Sequence, residues 1–171
     1  MLCCKSFKPY CLKQFLQNMH KALYKKIASE SFKNGYNCAQ SLLSSFGPEF
    51  GLSRDMALRM TTGLGAGINY SGNICGAVLG AFLILGLKYG IDIPSDTTGK
   101  EKTREMLDNF SKKFMETYPS LKCKEILGAD VSKPKELERL RKENKFIDFC
   151  PHVVEIAAAI VEELLDENFS V

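Results

Sequence analysis

The chain has 171 residues, enough for one domain with a single buried core. Hydrophobic residues make up 45% and charged residues 25%, an ordinary balance for a globular protein. The net charge of +3, with both signs interspersed, excludes the basic footprint of a nucleic-acid-binding protein. The longest apolar run, 74–87, is shorter than the roughly 20 residues of a membrane-spanning helix. With no secretory signal apparent, we expect a cytoplasmic protein without a membrane span.

The first half of the chain predicts three helices. An apolar stripe at helical spacing runs over 23–32, and Gly35 after it favours termination. Asn37 predicts the N-cap of a second helix, which ends before Pro48. A third, short helix follows Ser53 and leads into the glycine-rich loop GLGAGINYSG. Three of its side chains are expected in the core: Ala57, Leu58 and Met60.

The second half predicts further helices. Asn73 is a candidate N-cap for the apolar segment GNICGAVLGAFLILGLKYG. A long helix is predicted from about Thr98 to Tyr118, and Ser120 is a candidate cap for the short segment LKCKEILG. A charged helix near 134–145 has the composition of a solvated face. The last helix is predicted to begin at Pro151, because proline is favoured in a first turn.

These elements predict the fold class and the domain organisation. No segment has the period-2 pattern of a strand, so we predict an all-α fold, a single compact bundle of about six or seven helices. The bundle is expected to span 19–171, after an unpatterned leader over 1–18. The leader contains Cys3, Cys4 and Cys11, to which the sequence assigns no role.

Four of the seven cysteines fall at predicted helix starts: Cys38, Cys75, Cys123 and Cys150. A helix N-terminus presents free N–H groups and a partial positive charge, which both favour a thiolate over a thiol. Cys150 directly precedes Pro151 and is itself the predicted cap. In a reducing compartment such cysteines are more often metal ligands or redox-active groups than structural disulfides.

Glycines beside Cys75 form a second pattern. Gly72, Gly76 and Gly80 recur every four residues and predict a helix face without side chains. Such a face allows close approach of another helix or of a cofactor, and both interpretations stay open. His152 lies two residues after Cys150, where it could tune a metal site or simply be a polar surface residue.

The ordered cysteine segments carry a family resemblance. GYNCAQSLL, ICGAVLGAFLILGLKYG, LKCKEILG and a cysteine before the final amphipathic helix together resemble the C_GCAxxG_C_C family of redox-active proteins. The CGAxxG motif stands intact at 75–80. The resemblance implies a helical fold and a redox role. It also implies a link to the iron–sulfur module of split-Soret cytochromes, although this chain has no CxxCH motif for haem attachment.

The leading hypothesis is a small redox protein for electron transfer or redox sensing with an unknown partner protein. Its cofactor would be an iron–sulfur cluster, [2Fe–2S] by preference, with four thiolate ligands from Cys38, Cys75, Cys123 and Cys150. One alternative is a metal-free thiol–disulfide oxidoreductase in which Cys75 attacks and another cysteine resolves. Another is a structural zinc site with the same four ligands. The sequence leaves open whether the protein is an enzyme and what its oligomeric state is, a homodimer included.

Overall fold

The computed structural model describes residues 23–166, and within them eight α-helices account for the fold. They are α1 (23–33), α2 (Cys38–Phe46), α3 (Arg54–Met60), α4 (Gly76–Tyr89), α5 (Thr97–Thr117), α6 (Cys123–Leu127), α7 (Pro134–Lys142) and α8 (Lys145–Asp166). The all-α prediction is confirmed, with more helices than expected. Among the described residues, the one departure from helices and turns is an isolated antiparallel bridge between Ile74 and Lys122. The predicted leader lies outside the described residues.

Helix α4 occupies the centre of the bundle and packs against α2, α5 and α8. Its sequence is apolar on nearly every side, as expected for a helix with neighbours all round. The largest fully buried side chains include Phe46, Phe110 and Phe114. No helix in the 23–166 range is both long enough and apolar enough to cross a membrane.

The predicted N-cap of α2 is confirmed. The Asn37 side chain accepts hydrogen bonds from the N–H groups of Ala39 and Gln40, both at 3.0 Å. Ser53 caps α3 by accepting from the N–H of Met56. These caps follow from sequence because a short polar side chain satisfies donors only two or three residues away.

Two other predicted caps are wrong. Helix α4 begins one residue after Cys75, and the Asn73 amide instead donates to the Ser71 hydroxyl at 2.9 Å. Ser120 accepts from the N–H of Lys122, in a turn that precedes α6 rather than at its cap. In both places the bridge between Ile74 and Lys122 fixes the preceding backbone, so the helix starts later than the side chains alone suggest.

The prediction that the last helix begins at Pro151 is also wrong. Helix α8 begins at Lys145, so Cys150 lies in its second turn rather than at its N-cap. The cause is Asn144, whose left-handed backbone (φ 53°) separates α7 from α8 and changes the direction of the chain. Its carbonyl accepts the N–H groups of Ile147 at 2.9 Å and Asp148 at 3.0 Å. The turn therefore forms upstream, and Pro151 lies inside α8, where proline removes one helical hydrogen bond and crowds the carbonyl four residues before it.

Helix α3 also differs from its prediction. Ala57 is fully buried as expected, but Leu58 is half-buried and Met60 is 54% exposed. A helix of seven residues packs only a narrow face against the core. Apolar residues outside that face are therefore more exposed.

Candidate functional site: a four-cysteine cavity

The structure brings Cys38, Cys75, Cys123 and Cys150 to the wall of one cavity of about 310 Å³. Each of these cysteines is buried, with 4% to 8% of its surface exposed, and each is a free thiol. Cys38 and Cys123 are the first residues of α2 and α6, Cys75 is the N-cap of α4, and Cys150 comes from α8. Four segments far apart in sequence therefore each place one thiol at the same cavity.

The Cys38 thiol interacts with two of the other cavity thiols. The Cys38 thiol lies within hydrogen-bonding range of both Cys150 and Cys75. The hydrogen bond from Cys38 lowers the pKa of Cys75, and the backbone N–H groups of Ala77 and Val78 lower it further. The pKa of Cys38 is raised by its contacts with Cys150 and Cys75 and by burial. The two pKa values are thus shifted in opposite directions, which favours loss of the Cys75 proton before that of Cys38.

Cys123 lies at the same cavity without such a sulfur contact. Burial raises its pKa, and the negative charges of Cys75 and Cys150 raise it further. Within residues 23–166, no group of three or more His, Cys, Asp or Glu side chains is arranged so that it could hold a metal ion. The cavity therefore gathers four thiols without a ready coordination sphere.

Gly76 and Gly80 set how closely α4 approaches α2 at this cavity. A Cβ atom on Gly76 would lie 2.9 Å from the Leu64 carbonyl oxygen and 3.2 Å from the Cys38 Cβ. The predicted close approach of a second helix is confirmed for these two glycines. Gly72 lies before the helix, in a left-handed conformation (φ 71°), and does not share that face.

A left-handed turn forms another wall of the cavity. All five residues of 66–70 have positive φ: Ala66 (51°), Gly67 (73°), Ile68 (65°), Asn69 (48°) and Tyr70 (60°). The N–H of Asn69 donates to the Gly63 carbonyl at 2.9 Å, and that of Gly72 donates to the Ala66 carbonyl at 3.2 Å. Left-handed backbone costs roughly 1–2 kcal/mol for each residue that carries a Cβ. Strain of this kind is concentrated at functional sites. The sequence indicated only a glycine-rich loop here.

Replacing Ala66 with glycine is expected to raise the free energy of unfolding by up to about 1 kcal/mol. The relieved strain outweighs the greater entropy of glycine in the unfolded chain. The matched control is Ala159→Gly, also partly buried but inside α8, which is expected to lose about 1 kcal/mol. Urea unfolding of both variants checks the pair. Equal losses for both would show that the turn is unstrained.

The amide of Asn37 joins the start of α2 to this wall. Its Nδ2 donates to the carbonyls of Thr61 at 3.1 Å and Thr62 at 3.0 Å. Gly65 lies against the same side chain, where a Cβ atom would be 2.9 Å from the Asn37 Cβ. One residue thus both caps the helix that carries Cys38 and anchors the loop opposite.

Among the described residues, the cavity lining contains no carboxylate and no histidine, and its one cationic side chain is Arg141. The Arg141 guanidinium lies over the Tyr70 ring, 5.4 Å from the ring centroid. Sequence reasoning missed Arg141 because α7 has the composition of a solvated face. His152 is exposed, with its Nδ1 3.8 Å from a Glu155 carboxylate oxygen, and it does not line the cavity.

The fold and this cavity define a class: an all-α protein with buried free cysteines gathered from separate helices. The chain belongs to the family described as "Putative redox-active protein (C_GCAxxG_C_C)", whose model matches residues 36–164. That match includes all four cysteines that line the cavity. No significant match to the chain was found among curated proteins or among solved structures.

Proposed function

We propose that this protein is a small electron-transfer or redox-sensing protein whose four cavity cysteines hold an iron–sulfur cluster, [2Fe–2S] by preference. The observation that carries the proposal is the meeting of four buried thiols at one cavity. Cysteine thiolates are the usual ligands of such clusters, and four is the usual number. A cytoplasmic location is part of the same proposal, because buried free thiols persist in a reducing compartment.

The chemistry of the lining fits such a group. A soft, all-sulfur donor set without carboxylate or histidine favours iron–sulfur clusters and zinc over hard cations. Arg141 and the N–H groups of Ala77 and Val78 supply positive potential to a site that would hold four thiolates. Loading requires the sulfurs to adjust, since no three of the described ligating side chains stand ready for a metal.

The residues around the cavity would have different roles in this function. Cys38, Cys75, Cys123 and Cys150 would bind the cluster, which when bound supplies one-electron transfer. Gly76 keeps the backbone of α4 close enough to α2 to hold Cys75 beside Cys38. The left-handed turn at 66–70 would cover the cluster on one side.

A second candidate is thiol–disulfide chemistry by Cys75 and Cys38, and the hydrogen bond between these two side chains favours it. The Cys75 thiolate would attack a disulfide of the partner protein, forming a mixed disulfide and releasing one partner thiolate. Cys38, after giving up its proton, would then attack the Cys75 sulfur and release the second partner thiolate. The products are a Cys38–Cys75 disulfide and a partner reduced by two electrons.

Anaerobic purification decides between the candidates. The cluster proposal predicts brown protein with visible charge-transfer absorption and with iron and acid-labile sulfide in equal amounts. Colourless protein with about one zinc per chain would favour the structural zinc alternative. Metal-free protein that loses two thiols on mild oxidation, with a Cys38–Cys75 peptide pair in mass spectrometry, would favour the disulfide candidate.

A further inference from the structure

Tyr118 is packed in the core next to the segment that carries Cys150. It ends α5, where its N–H donates to the Phe114 carbonyl at 3.0 Å, and only 7% of its surface is exposed. Its ring is packed against Phe114, with centroids 4.9 Å apart, and against Phe149 in edge-to-face contact at 6.2 Å. Since Phe149 directly precedes Cys150, the tyrosine is held next to the segment that supplies a cavity thiol.

The hydroxyl of this side chain is an orphan. It is fully buried, and no hydrogen-bond partner for it exists among the described residues. Phenylalanine would fill the same space without burying an unsatisfied polar group, so the hydroxyl costs free energy in this state. An unsatisfied buried polar group in a native fold needs an explanation. A functional state or a bound group that supplies the missing partner is one such explanation.

The surroundings of the hydroxyl indicate what that partner is. Burial and then the negative charges of Cys75, Cys150 and Glu155 raise the pKa of Tyr118 to about 12, so the group stays an O–H donor. One Glu155 oxygen already accepts the Ser29 hydroxyl at 2.7 Å. The other acceptors near the hydroxyl are the sulfur atoms of Cys75 and Cys150.

We infer that Tyr118 is a positioning residue that donates a hydrogen bond to a thiolate sulfur of Cys75 or Cys150 in the working redox centre, and so raises its reduction potential. The inference rests on the proposed function. A donor at the sulfur stabilises the more negative, reduced state more than the oxidised one, and hydrogen bonds to sulfur are a known control on such potentials.

The test compares two tyrosine-to-phenylalanine variants of the full chain, purified anaerobically with the centre loaded. At a fixed applied potential, the ratio of reduced to oxidised centre in Tyr118→Phe is expected to be about tenfold lower than in wild type. Spectroelectrochemical titration measures this ratio. Its resistance to urea without cofactor is expected to be equal to wild type or higher, because an unsatisfied hydroxyl has been removed.

Tyr89→Phe is the matched control. The Tyr89 hydroxyl donates to the Leu164 carbonyl at 3.1 Å, a bond inside the helix bundle. Its removal is expected to lower the folded-to-unfolded ratio about fivefold and to leave the potential unchanged. An unchanged potential in Tyr118→Phe, or an equal shift in both variants, would overturn the inference.

Failure of the proposed cluster is recognised separately. Wild-type protein without iron and sulfide refutes the cluster, whatever Tyr118 does. The same two variants are then compared on the Cys38–Cys75 disulfide couple in glutathione buffers, with alkylation as the readout. If Tyr118 donates to the Cys75 thiolate, the potential of this disulfide couple shifts in the same direction. The disulfide of Tyr118→Phe is then reduced less readily than that of wild type, and Tyr89→Phe behaves like wild type.

Discussion

Replacing Gly80 with alanine is expected to lower the free energy of unfolding by about 2–3 kcal/mol, the range of overpacking in a close-packed core. The added Cβ would lie 2.9 Å from the Leu42 Cβ and 3.2 Å from the Ala39 carbonyl oxygen. Both atoms belong to or adjoin the backbone of α2, so relief requires the whole helix to shift. Because α2 carries Cys38, the same shift would displace one thiol from the cavity.

Gly86→Ala is the matched control in the same helix. A Cβ atom there meets nothing within 4 Å, so the variant is expected to gain about 1 kcal/mol from helix propensity alone. Urea unfolding with equal m-values measures both changes. Shifts of the same sign for the two variants would show that close packing of α4 on α2 does not govern the stability of this bundle.

Serine in place of Cys123 is expected to lower the iron content per chain at least about tenfold, as loss of a ligand exceeds the effect of losing a supporting contact. This position is chosen because the two candidate functions differ there: Cys123 is a ligand in one and a bystander in the other. Iron and sulfide analysis of anaerobically purified protein measures the effect, with circular dichroism to show that the helices are retained.

Cys11→Ser and Cys38→Ser are the control variants for Cys123→Ser. Cys11 belongs to the predicted leader, so its replacement is expected to leave the iron content at the wild-type level. Cys38 takes part in both candidates, so its replacement is expected to abolish the redox centre in either case. A Cys123→Ser protein with full iron content would contradict the four-ligand cluster. Loss of iron in Cys11→Ser would contradict the division between leader and domain.

Local sequence determined most of the helices in this protein. The caps Asn37 and Ser53 act through side chains that reach donors two or three residues away, and the Asn37 cap was predicted correctly. The apolar stripe of α5 buries Met106, Phe110 and Phe114, with Leu107 partly buried beside them. The glycine spacing in α4 predicted the close approach of a second helix, although not which one.

Signals that depend on more distant parts of the chain misled the sequence reasoning. Pro151 has the features of a first-turn residue, yet α8 begins at Lys145 because Asn144 turns the chain upstream. The backbone pairing between Ile74 and Lys122 overrode the predicted caps of two helices. The left-handed turn at 66–70 includes alanine, isoleucine and tyrosine, whose intrinsic preferences oppose that conformation.

The all-α class, the helix periodicity and the four cysteines in the order typical of a family could all be read from the amino-acid sequence. Tertiary packing was needed to show that these thiols share one cavity, that Cys38 interacts with Cys75, that Arg141 lines the cavity and that the Tyr118 hydroxyl is buried without a partner. The reason is physical: helix propensity and capping act over a few residues, whereas a site built from α2, α4, α6 and α8 exists only after the packing of α4 has fixed where each helix lies.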